Sequence, residues 1–104
     1  MAKSSPVTML VSYYPKPGKE KALLALVRKH WPTLRRVKLA SQMAPKIWRA
    51  RDVRQKESYF VELFQWKDEK AAGIAHQTPE VMAIWESMGP ILRKLQLTQI
   101  EAAR

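Results

Sequence analysis

The sequence contains no cysteine, which excludes disulfides, thiolate metal sites and thiol nucleophiles and makes the chain indifferent to the redox state of its compartment. Glycine is nearly as scarce: Gly18, Gly73 and Gly89 are the only 3, and no glycine-rich loop exists to cradle a phosphate. The 2 histidines, His30 and His76, stand far apart, and Pro79 breaks the chain between His76 and Glu80, so no metal-ligand spacing is present. A Gly-x-Ser-x-Gly nucleophile elbow is also missing. The first apolar run, residues 7–11, is too short for a signal-peptide core or a membrane span, and a cytoplasmic protein is expected.

Acidic residues are few as well. The 9 Asp and Glu face 19 Lys and Arg, a net charge of +10 that favours anionic partners in general. The bases are spread along the chain, which is the pattern of a solvated basic surface. Their densest cluster, Arg28, Lys29, Arg35, Arg36 and Lys38, is interleaved with apolar residues. At 104 residues, 46% hydrophobic and 27% charged, residues 1–104 are read as a single globular domain with one core.

The elements follow from periodicity. Residues 7–14 are β-branched and aromatic and stop at Pro15-Lys16-Pro17-Gly18, which marks a first strand. From Lys19, Leu23, Leu24, Val27, Trp31 and Leu34 recur at three- and four-residue steps with charges between them, which marks an amphipathic helix. Pro32 is expected to kink or restart that helix near His30-Trp31, with a second segment over 32–37, and His30 at the joint reads as an exposed or helix-terminal residue. Residues 46–51 alternate basic with apolar, and the apolar stretch 58–66 pairs with them antiparallel across a charged loop at 52–57.

Asp68 is suited to cap a short helix through Ala71, Ala72, Ile74 and Ala75 that ends near His76-Gln77. Thr78-Pro79-Glu80 opens another with the stripe Val81, Ile84, Trp85 and Met88, which Gly89-Pro90 stops. Residues 97–101 read as a last strand, and 91–96 are ambiguous between a helical turn and extended chain. The order β-α-β-β-α-β specifies an α+β, ferredoxin-like fold: a four-stranded antiparallel sheet with its helices on one face. Phe60, Glu62, Phe64 and Trp66 share one face of the third strand. If they lie on the uncovered side of the sheet, with Trp48 or Ile47 beside them, that side is too apolar for a monomer, and two copies stacked sheet on sheet are expected.

Several segments, in this order and spacing, resemble the antibiotic-biosynthesis-monooxygenase-like domains of the dimeric α/β-barrel superfamily. They are Pro17-Gly18-Lys19-Glu20, Trp31-Pro32-Thr33-Leu34-Arg35, Val61-Glu62-Leu63-Phe64-Gln65-Trp66, Lys67-Asp68-Glu69, Ala75-His76 and Pro79-Glu80-Val81. The resemblance covers roughly residues 7–90. It implies homodimers with ligand pockets between sheet and helices. In some members it implies oxidation of polycyclic aromatic molecules by molecular oxygen with no metal or flavin. A haem-degrading branch carries an asparagine in strand one and a tryptophan-histidine pair after strand three, which this chain does not match. No metal and no cofactor are therefore expected.

Glu62 and His76 are the catalytic candidates. A carboxylate between Phe60 and Phe64 must be paired, protonated or hydrated, either as a general base of raised pKa or in an ion pair with Arg49 or Arg51 on the adjacent strand. His76 suits a proton shuttle at a pocket mouth, or else bonds a carbonyl at its helix end. Phe60, Phe64, Trp66, Trp85 and Trp48 are the candidate ligand-binding aromatics, although tryptophan in such positions also serves as core. A small planar aromatic molecule is the expected ligand. RNA binding is the alternative, since RNA-recognition modules share this strand order, but the aromatic motif lacks its glycine and holds Glu62 among the stacking positions. A dimeric interaction module without chemistry is the third reading.

Overall fold

The computed structural model describes residues 5–103; residues 1–4 and Arg104, at the two ends of the expected domain, lie outside the described residues. The chain runs β1 (Val7–Pro15), α1 (Glu20–Arg36), β2 (Lys46–Asp52), β3 (Glu57–Trp66), α2 (Ala71–Ala75), α3 (Pro79–Met88), a 3-10 turn (Gly89–Ile91) and β4 (Leu92–Ile100). The strands lie in the order β2-β3-β1-β4 and every pairing is antiparallel, which is the ferredoxin-like arrangement.

Three local expectations change. Helix α1 is continuous through Pro32. The ring is on the exposed side of the helix, and Arg28, whose carbonyl loses its amide partner, is exposed as well, so the missing bond lies away from the core. Strand β4 begins at Leu92, well before residue 97, because its main chain pairs with β1 from Pro15 back to Thr8 while its own side chains are mostly exposed and carry little pattern. The Thr78 hydroxyl caps nothing in α3 and instead donates to the Ile74 carbonyl.

The largest correction concerns the faces of the sheet. Phe60, Glu62, Phe64 and Trp66 are buried beneath the helices, while Tyr59, Val61, Leu63 and Gln65 point to the open side. Both faces of β3 are apolar, so alternation alone does not say which is covered. Leu23, Val27, His30 and Leu34 of α1 and Val81, Ile84 and Met88 of α3 complete the core on the helix side. On the open side, Trp48 lies opposite Val61 and is 47% exposed, so it is separated by the sheet from the aromatics it was grouped with. Tyr14 stacks on Tyr59 there, with ring centroids 4.5 Å apart.

After α1 the chain returns to the sheet: the Lys67 amide donates to the Leu39 carbonyl and the Ser41 amide to the Gln65 carbonyl, which anchors the end of β3. The β2–β3 hairpin is closed by Asp52, whose Oδ1 accepts the amides of Arg54 and Gln55. Lys38 and Lys56 have φ of 63° and 54°, a left-handed conformation that costs a side-chain-bearing residue roughly 1–2 kcal/mol. Both are exposed. Lys38→Gly and Lys56→Gly are each expected to raise stability by about 0.5 kcal/mol in urea unfolding, the strain relieved exceeding the backbone entropy that glycine adds.

Candidate functional site

The site grows from one buried charge. Glu62 is 0% exposed at the middle of β3, with Val11 of β1 and Ile47 of β2 as its cross-strand neighbours. Neither Arg49 nor Arg51 neutralises it, contrary to the expected ion pair: Arg49 is opposite Phe60 and its guanidinium lies over that ring, 5.0 Å from the centroid. The carboxylate is met from β1 and the helix layer. The Tyr13 hydroxyl donates to Oε1 at 2.6 Å, and His30 Nδ1 lies 2.9 Å from Oε1 and 3.1 Å from Oε2.

His30 is 3% exposed, on the inner stripe of α1, not at an exposed helix end. The Trp85 indole donates through Nε1 to His30 Nε2 at 3.0 Å. An indole nitrogen can only donate, so Nε2 accepts, and the imidazole hydrogen sits on Nδ1, directed at Glu62. Hydrogen bonding thus runs Trp85 to His30 to Glu62, with Tyr13 as a second donor to the same carboxylate. Phe64 meets the His30 ring edge to face at 5.2 Å between centroids and restrains its rotation.

Burial, above all, pushes the Tyr13 phenol well above its ordinary pKa, and the charge of Glu62 and the hydrogen bond to it act in the same direction. Tyr13 is therefore a constant donor and not a competing base.

Beside this chain of groups lies a cavity of about 360 Å³ between the helices and the sheet. His30 and Tyr13 reach it from one side. Phe64, Trp66, Trp85 and His76 supply rings around it, and Leu95 and Leu97 of β4 line its edge. His76, the residue after α2, rests against Trp85 with centroids 4.8 Å apart. The two histidines, distant in sequence, thus share one cavity and one tryptophan. Of the candidates, His76, Phe64, Trp66 and Trp85 line it; Glu62 is behind His30 and Tyr13; Phe60 and Trp48 are elsewhere. Phe60 and Phe64 are 2% and 1% exposed, so neither is available to stack on a base, and the aromatic motif does not serve RNA.

No protein-family model matches the chain, and no curated protein matches it in sequence. Solved structures do. An antibiotic biosynthesis monooxygenase superposes with a TM-score of 0.69 at 18% identity, over 94% of this chain and 99% of its own. SnoaB from Streptomyces nogalater, a cofactor-independent oxygenase, superposes with a TM-score of 0.72 at 16% identity, over 97% and 96%. The chain shares the ferredoxin-like fold of these structures. PA3566 from Pseudomonas aeruginosa shares it across 100% of both chains, with a TM-score of 0.69 at 17% identity.

Within this fold, His30 is the cavity-lining residue that sequence reasoning missed. Its signal was present: Leu23, Val27, His30 and Leu34 keep one helical face at steps of four, three and four, and a histidine on that stripe faces the sheet where Glu62 needs a partner. The expected break at Pro32 obscured it.

Two outcomes test the network. Glu62→Ala leaves the Tyr13 hydroxyl and His30 Nδ1 without an acceptor in a buried site, and a loss of roughly 3 kcal/mol or more is expected in denaturant unfolding. For Tyr13, the unfolded phenol ionises near pH 10 and the folded one higher. Its contribution is thus complete below about pH 10 and is lost as the pH rises toward the folded value. Tyr13→Phe is expected to be less stable than the parent at pH 7, with the gap narrowing above about pH 10.

Proposed function

We propose that this chain takes a flat, largely apolar aromatic molecule into the cavity between its helices and sheet and oxygenates it without a metal or flavin. The observation that carries this reading is the cavity itself: aromatic and aliphatic walls with two imidazoles, one of them backed by a buried carboxylate. Such a site holds a ring by apolar contact and removes a proton from it.

The chemistry balances without a further reagent. A histidine takes the hydroxyl proton of an electron-rich ring, such as the enol form of an anthrone, and the resulting anion gives an electron to molecular oxygen. The two radicals combine to a peroxide, the histidine returns its proton to the outer oxygen, and loss of hydroxide with the remaining C–H proton leaves a ketone and water. Holding the ring against Trp66 and Trp85 supplies the orientation this sequence needs. Glu62 acts at one remove, since its carboxylate does not line the cavity and touches His30 and Tyr13 instead.

A homodimer belongs to the same proposal. Leu10, Trp48, Tyr59, Val61 and Leu63 lie on the open sheet face, and Leu95 and Leu97 are 48% and 64% exposed at the cavity edge. A second copy stacked on the sheet removes the first patch from water. The basic surface then faces solvent, and the site of action is the cytoplasm. Among the described residues no helix is long and apolar enough to cross a membrane.

Oxygen uptake with simple anthrones and quinols tests the activity: consumption above the uncatalysed rate is expected, and none across such a panel with intact protein refutes it. Sedimentation tests the assembly. The parent chain is expected as a dimer, and Trp48→Glu combined with Leu63→Glu shifts it toward monomer.

A further inference from the structure

His30 and His76 both border the cavity, but they are built differently. His76 is exposed at the end of a five-residue helix and makes no side-chain hydrogen bond among the described residues. His30 has its hydrogen fixed on Nδ1 by Glu62, Glu62 is fixed by Tyr13, and the lone pair on Nε2 accepts from a cavity-lining donor, the Trp85 indole. A carboxylate-oriented imidazole whose outer nitrogen accepts from a replaceable donor is the arrangement of a general base at rest.

We propose that His30 is the catalytic base, that the group it deprotonates is an acidic hydroxyl on a flat aromatic ring, and that this hydroxyl takes the position on Nε2 held by the Trp85 N–H. The proposal rests on the reading of the cavity as a ligand site and adds the ligand's chemical class. Its proton balance is simple. The ligand O–H bond breaks, the proton moves to Nε2, and the electron pair remains on oxygen as a phenolate or enolate. The imidazolium then lies between two anions, the new oxyanion and Glu62.

The site carries one negative charge before the transfer and one after it, so no net charge is added to a buried region. A ligand arriving as a carboxylate instead brings a second negative charge toward Glu62 with no mobile proton to compensate. The site therefore selects neutral, hydroxylated aromatics over aromatic acids. Tyr13 does not compete for the proton, because burial and Glu62 keep its phenol protonated.

Alizarin, a dihydroxyanthraquinone that reddens on ionisation and does not undergo the oxygenation, is the probe, used at a pH where the free dye is neutral. Bound to the parent protein it is expected to show the red-shifted spectrum. His30→Asn places an amide nitrogen where Nδ1 was, keeps a donor to Glu62 and removes Nε2; it is expected to bind the dye without the shift. Trp85→Phe removes the competing N–H and keeps an aromatic ring, and about two- to tenfold tighter binding with the shift retained is expected, the size of one exchanged hydrogen bond.

A shift retained in His30→Asn, or lost in His76→Asn in its place, overturns the proposal while leaving the cavity as a ligand site. Should His30→Asn fail to fold, Trp85→Phe decides, since binding that is unchanged or weaker overturns the exchange. Absence of dye binding to the parent protein refutes the ligand-site reading, and the proposal with it.

Discussion

The structure depends on the way one carboxylate is kept in its core. Among the described residues no arginine meets Glu62; its charge is held by a phenol from β1 and an imidazole from α1, and the imidazole is held in turn by an indole from α3. Four elements, β1, α1, β3 and α3, are fastened by one run of hydrogen bonds. Burying such a group is costly unless each donor is in place, so the requirement specifies more than stability. It fixes which face of β3 lies under the helices, and it sets the rotation of α1 about its axis. Because His30 also lines the cavity, the same interaction that holds the layers together fixes the tautomer of a cavity-lining imidazole.

Much of this was legible before the coordinates. The order of elements, the antiparallel hairpin of β2 and β3 and the short helix before α3 follow from periodicity and from punctuation by proline and glycine. What failed has specific causes. β3 carries Tyr59, Val61 and Leu63 on one side and Phe60, Phe64 and Trp66 on the other, and two apolar faces give no preference. The pairing of Glu62 was sought on the adjacent strand, where Arg49 and Arg51 lie, because cross-strand partners are predictable from register whereas helix-to-sheet partners are not. Strand β4 was only partly visible because main-chain pairing, unlike side-chain burial, leaves little mark on sequence.

The site shows the same division. Phe64, Trp66, Trp85 and His76 were identifiable as aromatic or titratable groups of the right type, and the fold places them around one cavity. Their common geometry depends on tertiary structure, as does the separation of Trp48 from them by the thickness of the sheet. Pro32 illustrates the limit of local rules. Its effect on the backbone was weighed as a break, yet one unpaired carbonyl facing water is a small perturbation in a helix of 17 residues whose inner stripe is fully packed.

The wall that carries His76 differs from the others. Helix α2 has 5 residues, and the bonds at its ends are long, 3.4 Å from the Ala71 amide to the Asp68 carbonyl and 3.3 Å from the His76 amide to the Ala72 carbonyl. A helix of this length does not persist by itself. It is held instead by the burial of Ala71 and Ala75, both 0% exposed, so this wall of the cavity owes its shape to packing against the core. The cavity thus meets solvent along two unlike borders, this short helix on one side and the exposed Leu95 and Leu97 of β4 on the other.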